Sequence, residues 1–497
     1  MGTAPSKPAT TSPAKANTAE AVNEKQAFTA HPPESTSDEP TLGSSLTIDA
    51  LDVWSRNFES DPTLALSRLV LSHSDPIQSL ASRKALIRDE KVFNLPLKGL
   101  GPNGEYPGPR VNQASSGRCW LFATTNVLRY NVIEKLNLGE FQLSQSYLFF
   151  YDKLEKANYY LENVLDTLDE DLDSRLITYL NDAPVNDGGQ WDMAVNLLEK
   201  YGAIPQKLYP ESYSSAASSR LGSILTTKLR EYSLRLRKDP KNARKLKARF
   251  LGEVYNTLSI ALGTPPKPDE TITWEYNDKD NKFHSWTGTP KEFYAQFGKR
   301  KHMDPKDSFS LINDPRNKYE TLYTIDRLGN VWGGRPVLYV NAPTEALEDA
   351  VIAGIKANTP LFFGCDVGKA SNTTAGVMDT DLYDIKAAYG YSLNMTKAER
   401  LMTGESAMTH AMVITAVHLD DKGRPVRYKV ENSWSDTAGE KGWFMMTADW
   451  FRENVFQVVI PRSVVDAKWT KVYDAGHPVV LPPWDPMVSW QRWLLRV

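Results

Sequence analysis

The chain reads as an α+β protein, with helices first and an antiparallel sheet last. Residues 152 to about 260 read as mainly helical, with a sharp charge contrast. Residues 336 to 460 differ: short apolar runs of strand length alternate with turn residues. Pro265-Pro-Lys-Pro268 marks the change of plan between them.

Taken in order, residues 1–45 are rich in Ala, Pro, Ser and Thr and nearly free of large apolar residues. Such a stretch cannot bury enough surface to offset its chain entropy, so a disordered extension is expected. Met1-Gly2-Thr-Ala-Pro-Ser6 fits the N-myristoylation pattern at Gly2. One acyl chain anchors only marginally, so no stable membrane association follows. Order should begin near Leu46–Trp54, with another amphipathic helix around Ser79–Arg88. Gly101–Pro109 is loop-forming, and a helix then starts at Cys119 with Leu121, Thr124, Thr125 and Leu128 on one face. Gln142–Tyr151 predicts a second helix entered through Ser144.

The following helical region pairs an acidic face (Glu162, Asp166, Asp169, Glu170, Asp171, Asp173) with a basic strip from Lys228 to Arg249. Two readings of the strip stand side by side. It either attracts a polyanion or forms a solvated face or a contact to an acidic neighbour. Strand candidates follow at Thr271–Tyr276, Val337–Asn341, Pro360–Cys365, His410–Val417, Val426–Val430 and Gly442–Met446.

Bulk properties exclude several classes. The chain has 497 residues, 41% of them hydrophobic and 24% charged, as in an ordinary globular protein of several domains. A net charge of -3 argues against binding polyanions over the whole surface. Its 2 cysteines cannot form a disulfide framework, which points to a reducing, cytoplasmic compartment. There is no apolar run long enough to span a bilayer, no secretory core and no arginine before Arg56. Neither metal-ligand spacing nor a nucleotide loop is present, so no cofactor is expected.

The chemistry-bearing residues begin with Cys119, in Gln113-Ala-Ser-Ser-Gly-Arg-Cys119-Trp120. A thiol at a helix start meets unpaired N–H groups and the positive end of the helix dipole, which favour a thiolate. The competing reading is a buried, inert cysteine. A nucleophile needs a base, an orienter and oxyanion donors. His410 and His418 flank one apolar strand, and about 27 Å of strand separates them, so one site cannot use both. Period two puts both on one face, but His418 leads into a surface turn, and His410 is the better base. Asn432 can accept the second imidazole N–H. Trp434 would shield that bond from water, and Gln113 can add a side-chain donor beside the backbone N–H of Cys119.

Gln, Cys-Trp, His-Ala and Asn-Ser-Trp, in that order, resemble the papain-like cysteine proteases and, more narrowly, the bleomycin hydrolase family. The likeness rests on Asn112–Phe122, Phe363-Gly-Cys-Asp-Val-Gly-Lys369, Thr409-His-Ala-Met412 and Val430-Glu-Asn-Ser-Trp434. Arg118 is the residue expected in that branch. The resemblance implies a papain-like fold: a helical part over 46–215, a large mainly helical insertion over 216–335, a sheet part over 336–480 and a C-terminal arm over 481–497.

By the same resemblance Cys119 is the nucleophile, His410 the general acid/base, Asn432 its orienter and Gln113 the oxyanion residue. Gly188, Gly189 and Trp120 lie on the substrate side, and Cys365 packs as a small apolar residue. The implied activity removes N-terminal amino acids from peptides and from amide-bearing compounds such as bleomycin, through a thioester. A homohexamer is also implied, with single-stranded nucleic acid as a partner in its central channel. Leu481–Met487 matches the family, but Val488-Ser-Trp-Gln-Arg-Trp-Leu-Leu-Arg-Val497 is bulkier and longer than its usual ending. An arm of altered specificity, a self-processed tail and a mispredicted coding end are equal explanations. An endopeptidase and a nucleic-acid-binding hexamer are the rival functions.

Overall fold

The computed structural model describes residues 42–99, 105, 110–300 and 302–488. Gly2, most of the expected disordered extension and the tail after Val488 lie outside these residues. Two compact units divide at His73 and Ser74. The first holds helices Ile48–Ser60 and Pro62–Leu71. Asp61 ends the one and N-caps the other, accepting from the N–H groups of Thr63 and Leu64.

The second unit begins with two short helices, Pro76–Ser79 and Arg83–Arg88, where one continuous helix was expected. Ser82 breaks the run because its hydroxyl accepts the N–H of Ala85 and starts a new helix there. The long helices follow the sequence pattern. Cys119–Leu136 is buried along most of its length, and Gln145–Asp166 is N-capped by Ser144 as expected. Trp191–Tyr201, Ser219–Lys238 and Ala243–Leu262 complete the helical wall.

A 12-stranded sheet forms the other wall. Its centre is antiparallel: His410–Leu419 lies between Leu361–Cys365 and Pro425–Glu431, and Trp443–Thr447 pairs outside the latter. One expectation is corrected here: the sheet is mixed, because Ser308–Ile312 pairs in parallel with Tyr339–Asn341, and Val479–Leu481 with Thr321–Ile325. Strands Ser308–Ile312 and Thr321–Ile325 lie in the inserted span, after its long helices.

Along the His410 strand, Ala411 and Val413 join the core containing Cys119, while Met412 and Ile414 join the core behind the sheet. Ala411 thereby packs on the side of the Cys119 helix. The register shift at Ile414/Ala416 breaks the period-two phase, so His418 does not repeat the facing of His410 as the sequence suggested.

Candidate active site

Cys119 is the first residue of its helix, and Arg118 before it supplies no side-chain cap. The opening N–H groups are therefore left to the site. The thiol is 4% exposed and meets the backbone N–H of Ala411, the residue after His410. Burial pushes it up to about 12, against the N–H groups of Ala411, Trp120 and Cys119, which favour the thiolate.

His410 opens its strand directly opposite Cys365. Its Nε2 lies 2.8 Å from Asn432 Oδ1. The orientation of that amide is settled by Ser433, whose backbone N–H donates to the same oxygen at 2.8 Å. An amide oxygen only accepts, so Nε2 carries the hydrogen and Nδ1 is the nitrogen able to take a proton. Burial pushes the imidazole down to about 4, and the Asn432 bond works against that. Desolvation thus disfavours a lone charge on either group. Proton transfer between them creates two opposite charges that offset each other's cost. The Trp434 ring lies 4.7 Å from the His410 ring, tilted by 32°.

Gln113 is joined to this pair through Ser433. The Ser433 hydroxyl donates to Gln113 Oε1 at 2.7 Å, and Gln113 Nε2 donates to the Ser116 carbonyl at 2.7 Å. One amide hydrogen of Gln113 is thereby used inside its own loop, leaving the second for an oxyanion. Ser433 was not singled out from the sequence, although it stands between Asn432 and Trp434 in the motif.

The Trp120 side chain is fully buried, and its indole N–H donates to the Asp187 carbonyl at 2.7 Å. A Cβ on Gly189 would fall 2.6 Å from the Trp120 ring, so Trp120 packs directly against that glycine. Gly188 and Gly189 themselves line a cavity of about 1000 Å³, with Tyr159, Tyr179, Met193 and Trp484. Lys156, which lines the same cavity, donates from Nζ to the Gly188 carbonyl at 2.6 Å. Among the described residues no group of His, Cys, Asp and Glu could hold a metal ion.

A family model described as the Peptidase C1-like family matches residues 45–488. The chain is 43% identical over 459 residues to "Cysteine proteinase 1, mitochondrial" of Saccharomyces cerevisiae, covering 90% of this chain and 93% of that one. It is 42% identical over 450 residues to the bleomycin hydrolase of Homo sapiens, covering 87% and 96%. The crystal structure of PepW from Lactobacillus rhamnosis superposes with a TM-score of 0.85 at 37% identity, covering 90% of this chain and 99% of that chain. The chain belongs to the Peptidase C1-like family. It is a cysteine peptidase, and the resemblance to the bleomycin hydrolases and the papain-like α+β fold are borne out.

Two further regions of this C1-like peptidase bear on its function. Within the basic strip, Arg244 and Lys247 both pair with Glu162, Lys228 and Arg235 with Glu231, and Arg249 with Glu253. Arg230 and Arg237 donate to backbone carbonyls at 181–182 and 168–170. Five of the strip's ten basic residues thus pair with a carboxylate, and two of these, Arg244 and Lys247, reach the acidic face at Glu162. The arm is tied down as far as Val488. Trp484 stacks under Arg175 at 3.9 Å, Asp485 pairs with Arg316 at 2.9 Å, and Met487 is fully buried.

Proposed function

We propose that the chain is a cysteine aminopeptidase of the bleomycin hydrolase type, with Cys119 as nucleophile. The carrying observation is the relay from His410 through Asn432 and Ser433 to Gln113, set beside a cysteine at a helix start. His410 Nδ1 takes the thiol proton as Sγ attacks the scissile carbonyl. The backbone N–H of Cys119 and the second amide hydrogen of Gln113 stabilise the oxyanion. His410 then protonates the departing amine, and finally activates a water that hydrolyses the thioester.

The exopeptidase reading is supported by arm residues Trp484, Pro486 and Val488, which line the same cavity as Gly188 and Gly189 and shorten the space for an extended substrate. Peptides and bleomycin-like amides are the proposed substrates, the human relative being named a bleomycin hydrolase. Aminoacyl-coumarin and its N-acetylated counterpart separate the readings. An aminopeptidase hydrolyses only the free amine, whereas equal rates would establish the endopeptidase. Mass spectrometry of the C-terminus would show whether the tail after Met487 survives in the protein tested. If alkylation of Cys119 left hydrolysis unchanged, the nucleophile assignment would fall.

We carry the homohexamer, the cytoplasmic location and single-stranded nucleic acid as parts of the same proposal, drawn from the family resemblance. Sedimentation reads the first, and cell fractionation the second, for which the yeast relative's name instead says mitochondrial. Salt-dependent binding of single-stranded DNA reads the third. Among the described residues Lys238, Lys241 and Lys245 form no ion pair, so they are the cations to substitute in that assay.

A further inference from the structure

Asp187 stands just before the glycine pair, and each end of it grips the segment carrying Cys119. Its carboxylate Oδ2 accepts the backbone N–H of Gly117 at 2.9 Å, and its carbonyl accepts the Trp120 indole N–H at 2.7 Å. These two bonds bracket Cys119, holding the residue two positions before it and the residue directly after it. The fit leaves no slack, since a Cβ on Gly117 would meet Asp187 Cβ at 2.8 Å. On the far side, Lys153 Nζ reaches Oδ1 at 2.6 Å and the Ser218 hydroxyl donates to Oδ2.

Lys153 rises from the Gln145–Asp166 helix with a side chain only 1% exposed. It also donates to the Val185 carbonyl, and Lys156 one turn on donates to the carbonyls of Asn186 and Gly188. The whole stretch 185–188 is therefore pinned to one helix, and through Asp187 to the Cys119 loop. Although burial alone would raise the Asp187 carboxyl, the Lys153 charge and the bonds from Lys153, Ser218 and Gly117 hold it well below the usual carboxylate range. Its negative charge also reaches Cys119, where it opposes the thiolate.

We propose that Asp187 is a positioning residue: one carboxylate, paired with buried Lys153, sets the nucleophile loop and the glycine-lined cleft wall relative to each other. The proposal rests on Cys119 being the nucleophile. It gives a role to the ion pair of Lys153 and Asp187, buried beside the cleft. A misplacement of about 1 Å in such a site costs on the order of 100-fold in rate.

The test uses Asp187→Asn, which keeps an oxygen for Gly117 but loses the charge, and Asp187→Ala, which loses both. On the full chain, kcat should fall about 10-fold for the first and about 100-fold for the second, with KM changed much less. A second measurement follows iodoacetamide alkylation of Cys119 against pH, which needs no substrate. Removal of the opposing charge should move the alkylation midpoint to lower pH in both variants. A midpoint that stays at the wild-type pH, with kcat loss matching the loss of folded protein by circular dichroism, would overturn the proposal. Should Asp187→Ala not fold, Asp187→Asn decides alone. Hydrolysis that survives alkylation would remove the nucleophile assignment instead, while the midpoints would still report on Asp187.

Discussion

On the helical wall of the cleft, the loop before Cys119 is held by charged side chains. Lys153 meets Asp187 there, and Arg118 meets Glu211. On the sheet wall, His410 and Asn432 are held by neutral bonds among amide, hydroxyl and backbone, with the strand ladder on either side. The difference follows from what each element can offer. A helix has spent its own backbone bonds, so only long side chains can reach a neighbouring loop. A strand places successive residues on a fixed lattice, and short side chains suffice. Charges behind the nucleophile therefore set position, whereas neutral groups around the base leave its proton free to move. An ion pair also joins the walls: Arg129, on the Cys119 helix, pairs with buried Glu431, the residue before Asn432, and Arg110 lies 3.4 Å from the same carboxylate.

The largest effect should come from the reacting pair. Cys119→Ala or His410→Ala should lower kcat by about 10⁴-fold or more, with an unchanged melting temperature, as read by initial rates and calorimetry. An active His410→Ala enzyme would show that the sheet wall does not supply the base.

Next comes the tie between the walls. Glu431→Gln leaves two buried guanidinium groups without their anion, and removing one partner of a buried pair costs about 3–5 kcal/mol. Urea unfolding reads this directly. A loss below about 1 kcal/mol would mean that the walls hold together without the tie.

The His410 ring gives a pH test. With Cys119→Ala in place, the folded imidazole is pushed down to about 4, against an ordinary value of 6.5. Between these values the unfolded chain binds more protons than the native one, so stability rises with pH from 4 to 6.5 and is lost on acidification through that window. The span corresponds to about 3 kcal/mol. Cys119→Ala/His410→Gln should lack this part of the slope in urea unfolding at stepped pH. Equal slopes would place the ring in water.

The smallest effect concerns the relay. Ser433→Ala removes the donor to Gln113 Oε1 but keeps the backbone N–H to Asn432. A roughly 10-fold loss of kcat is expected, about 1.4 kcal/mol, with unfolding hardly changed. An unchanged kcat would mean that Gln113 is oriented by the Ser116 carbonyl alone.

Local signals in the chain determined a good deal. The loop, the helical spacing from Leu121 and the single cysteine between them marked the Cys119 helix start, and Ser144 marked the next one. Apolar runs bounded by turns marked the strands of His410, Val426 and Gly442, and the residue types around Cys119, His410 and Asn432 marked the chemistry. Each of these signals lies within a few residues of what it specifies. Tertiary structure alone decided which partners meet. It packed Trp120 against Gly189, paired Arg244 and Lys247 of the basic strip with Glu162, and brought Ser308–Ile312 into the sheet. It also joined Asp187 to Gly117 and Arg129 to Glu431. Buried polar groups must find partners wherever the packed chain brings them, and that proximity has no period along the sequence.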